Sequence, residues 1–238
     1  FLEEETLYRR GIGAVLAERG AELVVGAMAR ETNPSERFLN SAFLIDEAGE
    51  VTGRYDKRHL LPFMEYFPLR VDLLRRRFGR LREFSPGEPR PLLPTRAGPA
   101  AVLLCNEAYL PHLAARRVAD GARVLVNPSN DAWVSDAGFA AHQFQIARMR
   151  AVETRTPLVR ISDSGPSAVV DAWGSVAART PPLAEAVLVT ELAQGPGRSL
   201  YTRVGDLFGL GCVAMVVLAL LTTRRAPTTR PPPGPSAQ

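Results

Sequence analysis

The sequence is almost devoid of lysine. Lys57 stands alone among 29 basic residues, and all the others are arginine. Arginine replaces lysine at most solvated positions, but not where a compact, titratable ammonium is needed. One reading is a compositional drift that left a single lysine behind; the other is a retained catalytic ammonium. Cysteine and histidine are scarce too, with two and three residues. No Cys-x-x-Cys occurs, and His59, His112 and His142 lack ligand spacing, so no metal site is expected. Cys105 closes an apolar strand-like run and Cys212 lies inside a long apolar segment, so the two are not expected to pair. The absence of Gly-x-Ser-x-Gly excludes that serine nucleophile elbow. No basic block is interleaved with aromatics, which argues against a nucleic-acid groove. The chain opens at Phe1 without a signal-peptide pattern.

What is present suits one sizeable domain with a real core: 238 residues, 46% hydrophobic and 23% charged, with a net charge of +4. The densest basic patch, Arg75-Arg76-Arg77 with Arg80 and Arg82, reads as a solvated helix end. Residues 3–19 read as a helix. Gly-Ile-Gly at 11–13 is weak evidence for a phosphate loop. Short apolar runs follow at 22–28, 41–46, 100–105, 122–127, 157–162, 167–172 and 186–192, with helical stretches at 111–119 and 137–154. Continuous apolar strands alternating with helices predict an α/β fold with a sheet buried on both faces. The Pro- and Gly-rich segment 83–99 reads as a loop.

Residues 207–223 carry no charge. As a helix they would extend about 26 Å, slightly less than the ~30 Å hydrocarbon core. Arg224, Arg225 and Arg230 follow within a Pro-rich tail. The expected division is therefore a globular domain at 1–203, a transmembrane helix at 204–223 and a disordered tail at 224–238. The trailing arginines put the tail in the cytoplasm and the globular domain outside it. Arg198 and Arg203 weigh against that orientation.

Three stretches carry chemistry: YDKRHLLPFMEY at 55–66, LLCNEAYLP from Leu103, and VLVNPSNDAWV from Val124. In α/β sheets, sites form at the carboxyl ends of strands, where Cys105 and the NPSNDAW loop fall. A cysteine there is a candidate nucleophile, although the commoner fate of cysteine is a small buried apolar residue. A nearby cation lowers a thiol pKa, and Lys57 would serve, or would stabilise an oxyanion beside a backbone N–H. A carboxylate would move protons. Cysteine, lysine and glutamate form a chemically complete acyl-transfer set. His59 reads as a structural hydrogen-bonding residue beside the lysine, and His112 and His142 as helix residues.

The ordered motifs Y-D-K-x-H-L-x-P-F-x-E-Y, C-x-E and N-x-S-N-D-A-W resemble the nitrilase (carbon–nitrogen hydrolase) superfamily, and within it the bacterial apolipoprotein N-acyltransferase branch. The likeness continues through residues 148–174 and SLYTRVGDLF, up to about Leu221. It implies a four-layer αββα sandwich followed by one C-terminal transmembrane helix, in the bacterial inner membrane with the catalytic domain on the periplasmic side. Cys105 would take a fatty acyl group from a membrane phospholipid as a thioester and pass it to the N-terminal diacylglyceryl-cysteine of a lipoprotein. Lys57 would be the catalytic lysine, supported by Glu65 and Glu107. Asn106, Trp133 and Tyr66 would flank the substrate. No metal or organic cofactor is implied.

The chain departs from that pattern in places. The family's catalytic glutamate, in a Trp-Pro-Glu context, would fall just upstream of Phe1, and Glu3, Glu4 and Glu5 belong to the helix after it. The expectation is a fragment that is inactive alone. Asn106 stands where an aromatic is usual, Met64 where glycine is usual, and Val134 where phenylalanine is common. A membrane-anchored amidase and a catalytically dead lipid- or lipoprotein-binding homologue are the alternatives.

Overall fold

The structure is a computed structural model that describes residues 2–31, 36–68, 83–132 and 136–223. Its packing divides the chain into two compact units, Phe1–Arg203 and Val204–Gln238.

The first unit opens with helix α1 (Thr6–Arg19) and an antiparallel sheet of order β1-β2-β3, made of Leu23–Glu31, Arg37–Ile45 and Val51–Asp56. A six-stranded sheet follows in sequence order, with β4 (Leu93–Thr95), β5 (Gly98–Val102), β6 (Val124–Ser129), β7 (Leu158–Ser162), β8 (Ala168–Val170) and β9 (Val176–Arg179). Only the β5-β6 and β6-β7 pairs are parallel, and helices α2 (Pro111–Ala119) and α3 (Ala137–Thr154) make those crossovers. Asp136 caps α3, its side chain accepting the Phe139 N–H at 2.8 Å.

The two-residue period of the strands sorts their side chains into layers. On β2, Phe43 and Ile45 face Ile12 and Leu16 of α1, while Ala42 and Leu44 face the other sheet. On β5 and β6, Ala100, Val102, Val124 and Val126 fill the space between the sheets. Ala101 and Leu125 point the other way, onto Leu113, Phe144, Ala147 and Ala151 of α2 and α3. Three apolar seams therefore separate four layers in the order helix, sheet, sheet, helices. The α/β layering expected from the sequence is present.

Several expectations are corrected. Residues 186–192 form no strand: Val187 and Val189 are 88% and 92% exposed, and no strand among the described residues pairs with them. Their β-branched composition resembles a buried strand, but pairing decides, and Pro181, Pro182 and Pro196 flank the run. The segment 83–99 is not all loop, since β4 lies within it and β5 begins there. β3 escapes the apolar-run criterion because it is half polar, and β9 because it is only four residues long. Gly13 serves packing rather than a phosphate: a Cβ there would stand 2.5 Å from the Gly49 backbone nitrogen.

The first unit closes in the short α4 (Leu200–Val204), and the second holds helix α5 (Leu207–Thr223, 17 residues). Among the described residues no helix is long and apolar enough to cross a membrane. The expected transmembrane helix at 204–223 thus lacks support, because the helix starts at Leu207 and is too short. Arg75–Arg77, Arg80, Arg82 and the tail 224–238 lie outside the described residues.

Candidate active site

A cleft of about 800 Å³ opens between the two sheets. Lys57, Glu65 and Cys105 line it together, with Leu61 and Met64 beside them and Ser129 and Asn130 from the end of β6. The three sequence-predicted residues converge because β3 delivers Lys57 just past its last residue, while β5 and β6 end side by side.

Lys57 is 1% exposed, and its ammonium is held by Glu65. Glu65 accepts from Nζ at 2.8 Å through Oε1 and 2.7 Å through Oε2. Asn40 Nδ2 donates to Oε1 at 2.9 Å and the Leu61 N–H to Oε2 at 2.7 Å. Three groups thus make four hydrogen bonds to this carboxylate, and it fixes the lysine in place of water.

Glu107 is wholly buried. Its Oε1 accepts the backbone N–H groups of Arg58 and His59 at 3.0 and 3.1 Å. Its Oε2 accepts the Leu104 N–H at 2.9 Å, and Tyr55 Oη donates to both oxygens, at 3.0 and 3.1 Å. Burial pushes this carboxyl up, while the Leu104, Arg58 and His59 amides and the Tyr55 hydroxyl pull it back. Burial likewise raises the Tyr55 phenol, with the Glu107 carboxylate adding to the effect. Glu107 thus ties the stretch after Lys57 to the residue before Cys105.

Cys105 is a free, partly exposed thiol that opens a short 3-10 turn, Cys105–Tyr109. Its φ is 50°, a left-handed geometry costing a residue with a Cβ on the order of 1–2 kcal/mol. The sharp turn aims the side chain off the strand end instead of into the sheet.

The other candidates are placed differently. Asn106 Nδ2 donates to the His59 carbonyl at 3.3 Å, and Tyr66 accepts the Phe63 N–H through its carbonyl at 2.7 Å. Neither lines the cleft. Trp133 and Val134 lie outside the described residues, whereas Met64 lines the cleft wall. His59 acts through its backbone, and its ring meets His112 edge-on at 6.1 Å. Glu3 and Glu4 are engaged by Arg54 at 3.1 Å and Arg30 at 2.9 Å, away from the cleft lining. Besides Glu65, the carboxylate lining the cleft among the described residues is Asp163, which accepts the Asp131 N–H at 2.8 Å. No group of three or more His, Cys, Asp or Glu side chains among the described residues could hold a metal ion. Asn40 and Tyr55 escaped the sequence reading, because their roles depend on carboxylates 25 and 52 residues away.

The model of the carbon–nitrogen hydrolase family matches residues 4–200. The chain is 37% identical over 229 residues to the apolipoprotein N-acyltransferase of Geobacter metallireducens, covering 94% of this chain and 44% of that protein. It is 35% identical to the apolipoprotein N-acyltransferase of Bradyrhizobium diazoefficiens, covering 92% and 42%. The chain thus spans less than half the length of these relatives. Among solved structures, it is similar to a carbon–nitrogen hydrolase from Helicobacter pylori, with TM-score 0.61, 19% identity and coverage of 77% and 67%. It is also similar to an amidase from Nesterenkonia, with TM-score 0.56, 22% identity and coverage of 77% and 65%. These two likenesses concern the fold.

Proposed function

The chain belongs to the carbon–nitrogen hydrolase family, and on that premise we propose that it is the catalytic portion of a lipoprotein N-acyltransferase. The observation that carries the reading is the shared cleft: the thiol of Cys105, whose backbone is left-handed, opens into the same space as a buried lysine locked by Glu65. The similarity to relatives named apolipoprotein N-acyltransferase supports the substrate class.

In this reading the Cys105 thiolate attacks the ester carbonyl of a phospholipid. Lys57, unable to leave Glu65, stabilises the oxyanion of the tetrahedral intermediate. The lysophospholipid departs as the alcohol and leaves an acyl thioester on Cys105. The α-amino group of a diacylglyceryl-cysteine then attacks the thioester, an amide forms, and the thiolate is released. Glu65 already accepts four hydrogen bonds, so the reading assigns proton transfer to a carboxylate other than Glu65. On the family likeness alone, Asn106, Tyr66 and Trp133 are proposed to flank the acceptor beyond the cleft lining. Helix α5 is apolar all round and exposed at Phe208, Val213 and Met215. We assign it to the apolar layer of the bacterial inner membrane, with the catalytic unit on the periplasmic side.

The test is single turnover of the full-length protein with phospholipid, followed by intact mass. An acyl adduct on Cys105 that a diacylglyceryl-cysteine peptide discharges as an amide supports the reading. Discharge to free fatty acid despite saturating peptide would make it a hydrolase instead, and full activity of Cys105→Ala would remove the nucleophile.

A further inference from the structure

The carbonyls on either side of Leu104 are gripped by one buried side chain. Asn127 Nδ2 donates to the Leu103 carbonyl and, at 3.3 Å, to the Cys105 carbonyl. On the intervening residue, the Leu104 N–H is held by Glu107. The backbone leading into the left-handed Cys105 is therefore pinned at three consecutive residues.

An amide can be turned over, presenting either its oxygen or its NH2. Arg160 decides which. A guanidinium only donates, and Arg160 Nη1 donates to Asn127 Oδ1, so the NH2 faces the two carbonyls. The other arm, Nη2, pairs with Asp131 Oδ2 at 2.6 Å. Asp131 is fixed in turn by the hydroxyls of Ser129 at 2.6 Å and Ser162 at 2.7 Å. A Cβ at Gly165 would stand 2.5 Å from Asp131 Oδ2, so the following turn is built around this carboxylate. Asn127, Asp131 and Arg160 are all buried. A buried ion pair stabilises a fold poorly compared with apolar residues of equal volume. Its place behind the nucleophile calls for another reason, and orienting Asn127 supplies one.

We infer that Asn127, set by the Arg160–Asp131 pair, is a positioning residue that clamps the Cys105 backbone in the conformation from which its thiol reaches the acyl carbonyl. The inference rests on the reading of Cys105 as the nucleophile.

Two variants of the full-length protein test it. Asn127→Asp keeps the size and an oxygen for Arg160 but offers the carbonyls no donor while ionised. Arg160→Lys keeps a charge opposite Asp131 but lacks the fork that also sets the amide. The readouts are thermal unfolding, the kcat and KM of acyl transfer, and the rate at which iodoacetamide alkylates Cys105. Asn127→Asp is expected to lower kcat roughly 100-fold with KM within about twofold, the scale of a small misplacement of the reacting group. Arg160→Lys should fall between that variant and the wild type, and Cys105 alkylation should slow in both. A purely structural role would shift the unfolding temperature and leave the folded fraction reacting normally. If either folded variant turns over and is alkylated within about threefold of wild type, the clamp is wrong. Alkylation needs no phospholipid. A wild type that is alkylated but never acylated would therefore sink the functional reading, while the alkylation comparison still decides the clamp.

Discussion

Both carboxylate oxygens of Glu65 lie within 2.8 Å of Lys57 Nζ, so the protein's single lysine is held by a two-pronged grip. Glu65→Gln would leave one oxygen for a buried ammonium. Lys57→Arg would force a larger, planar cation into a space shaped for a point charge. Each is expected to slow thioester formation on Cys105 by about 100-fold or more, the scale for losing one oxyanion donor. Intact-mass kinetics on the full-length protein would check this, and a Lys57→Arg enzyme with near-normal rates would refute the role given to the lysine.

Glu107 sets a pH dependence. Burial raises its carboxyl above the ordinary 4.5. Between 4.5 and the raised value, the folded protein keeps a proton that the unfolded chain has released. This group's contribution to stability therefore falls as pH rises through that window. Glu107→Gln should remove that slope and also lower stability by about 1–3 kcal/mol, since buried amide donors lose a full carboxylate partner. Urea unfolding of both proteins across the window measures it, and parallel pH profiles would contradict the assignment.

Two glycines two residues apart should answer differently to alanine. A Cβ at Gly11 meets nothing within 4 Å, so Gly11→Ala should gain up to about 1 kcal/mol of helix propensity. Gly13 abuts the backbone at Ala48–Gly49, so Gly13→Ala should lose roughly 1–3 kcal/mol despite the same propensity gain. Paired denaturant melts decide between packing and propensity at this contact.

The membrane assignment of α5 is checked by charge. Met215→Arg places a cation midway along the helix, where an apolar layer would have to take it out of water. A reporter carrying residues 200–238 should sediment with anionic liposomes, and the substitution should release it. Equal sedimentation of both would argue that the flanking arginines, not the apolar helix, make the contact.

The sequence alone marked out residues that meet in the cleft. A lone lysine in YDKRHLLPFMEY, a cysteine closing an apolar run and a polar loop closing the next one were legible, because strand ends and titratable residues leave local traces. The helices 111–119 and 137–154 were legible for the same reason, since period and capping are properties of neighbouring residues. Tertiary structure alone decided which polar groups would meet. Asn40 reaches Glu65, Tyr55 reaches Glu107, and Arg160 turns Asn127 toward Cys105, all across gaps that no local pattern spans. It also decided that residues 186–192, apolar and β-branched, form no strand, since a strand exists only where another backbone satisfies its hydrogen bonds.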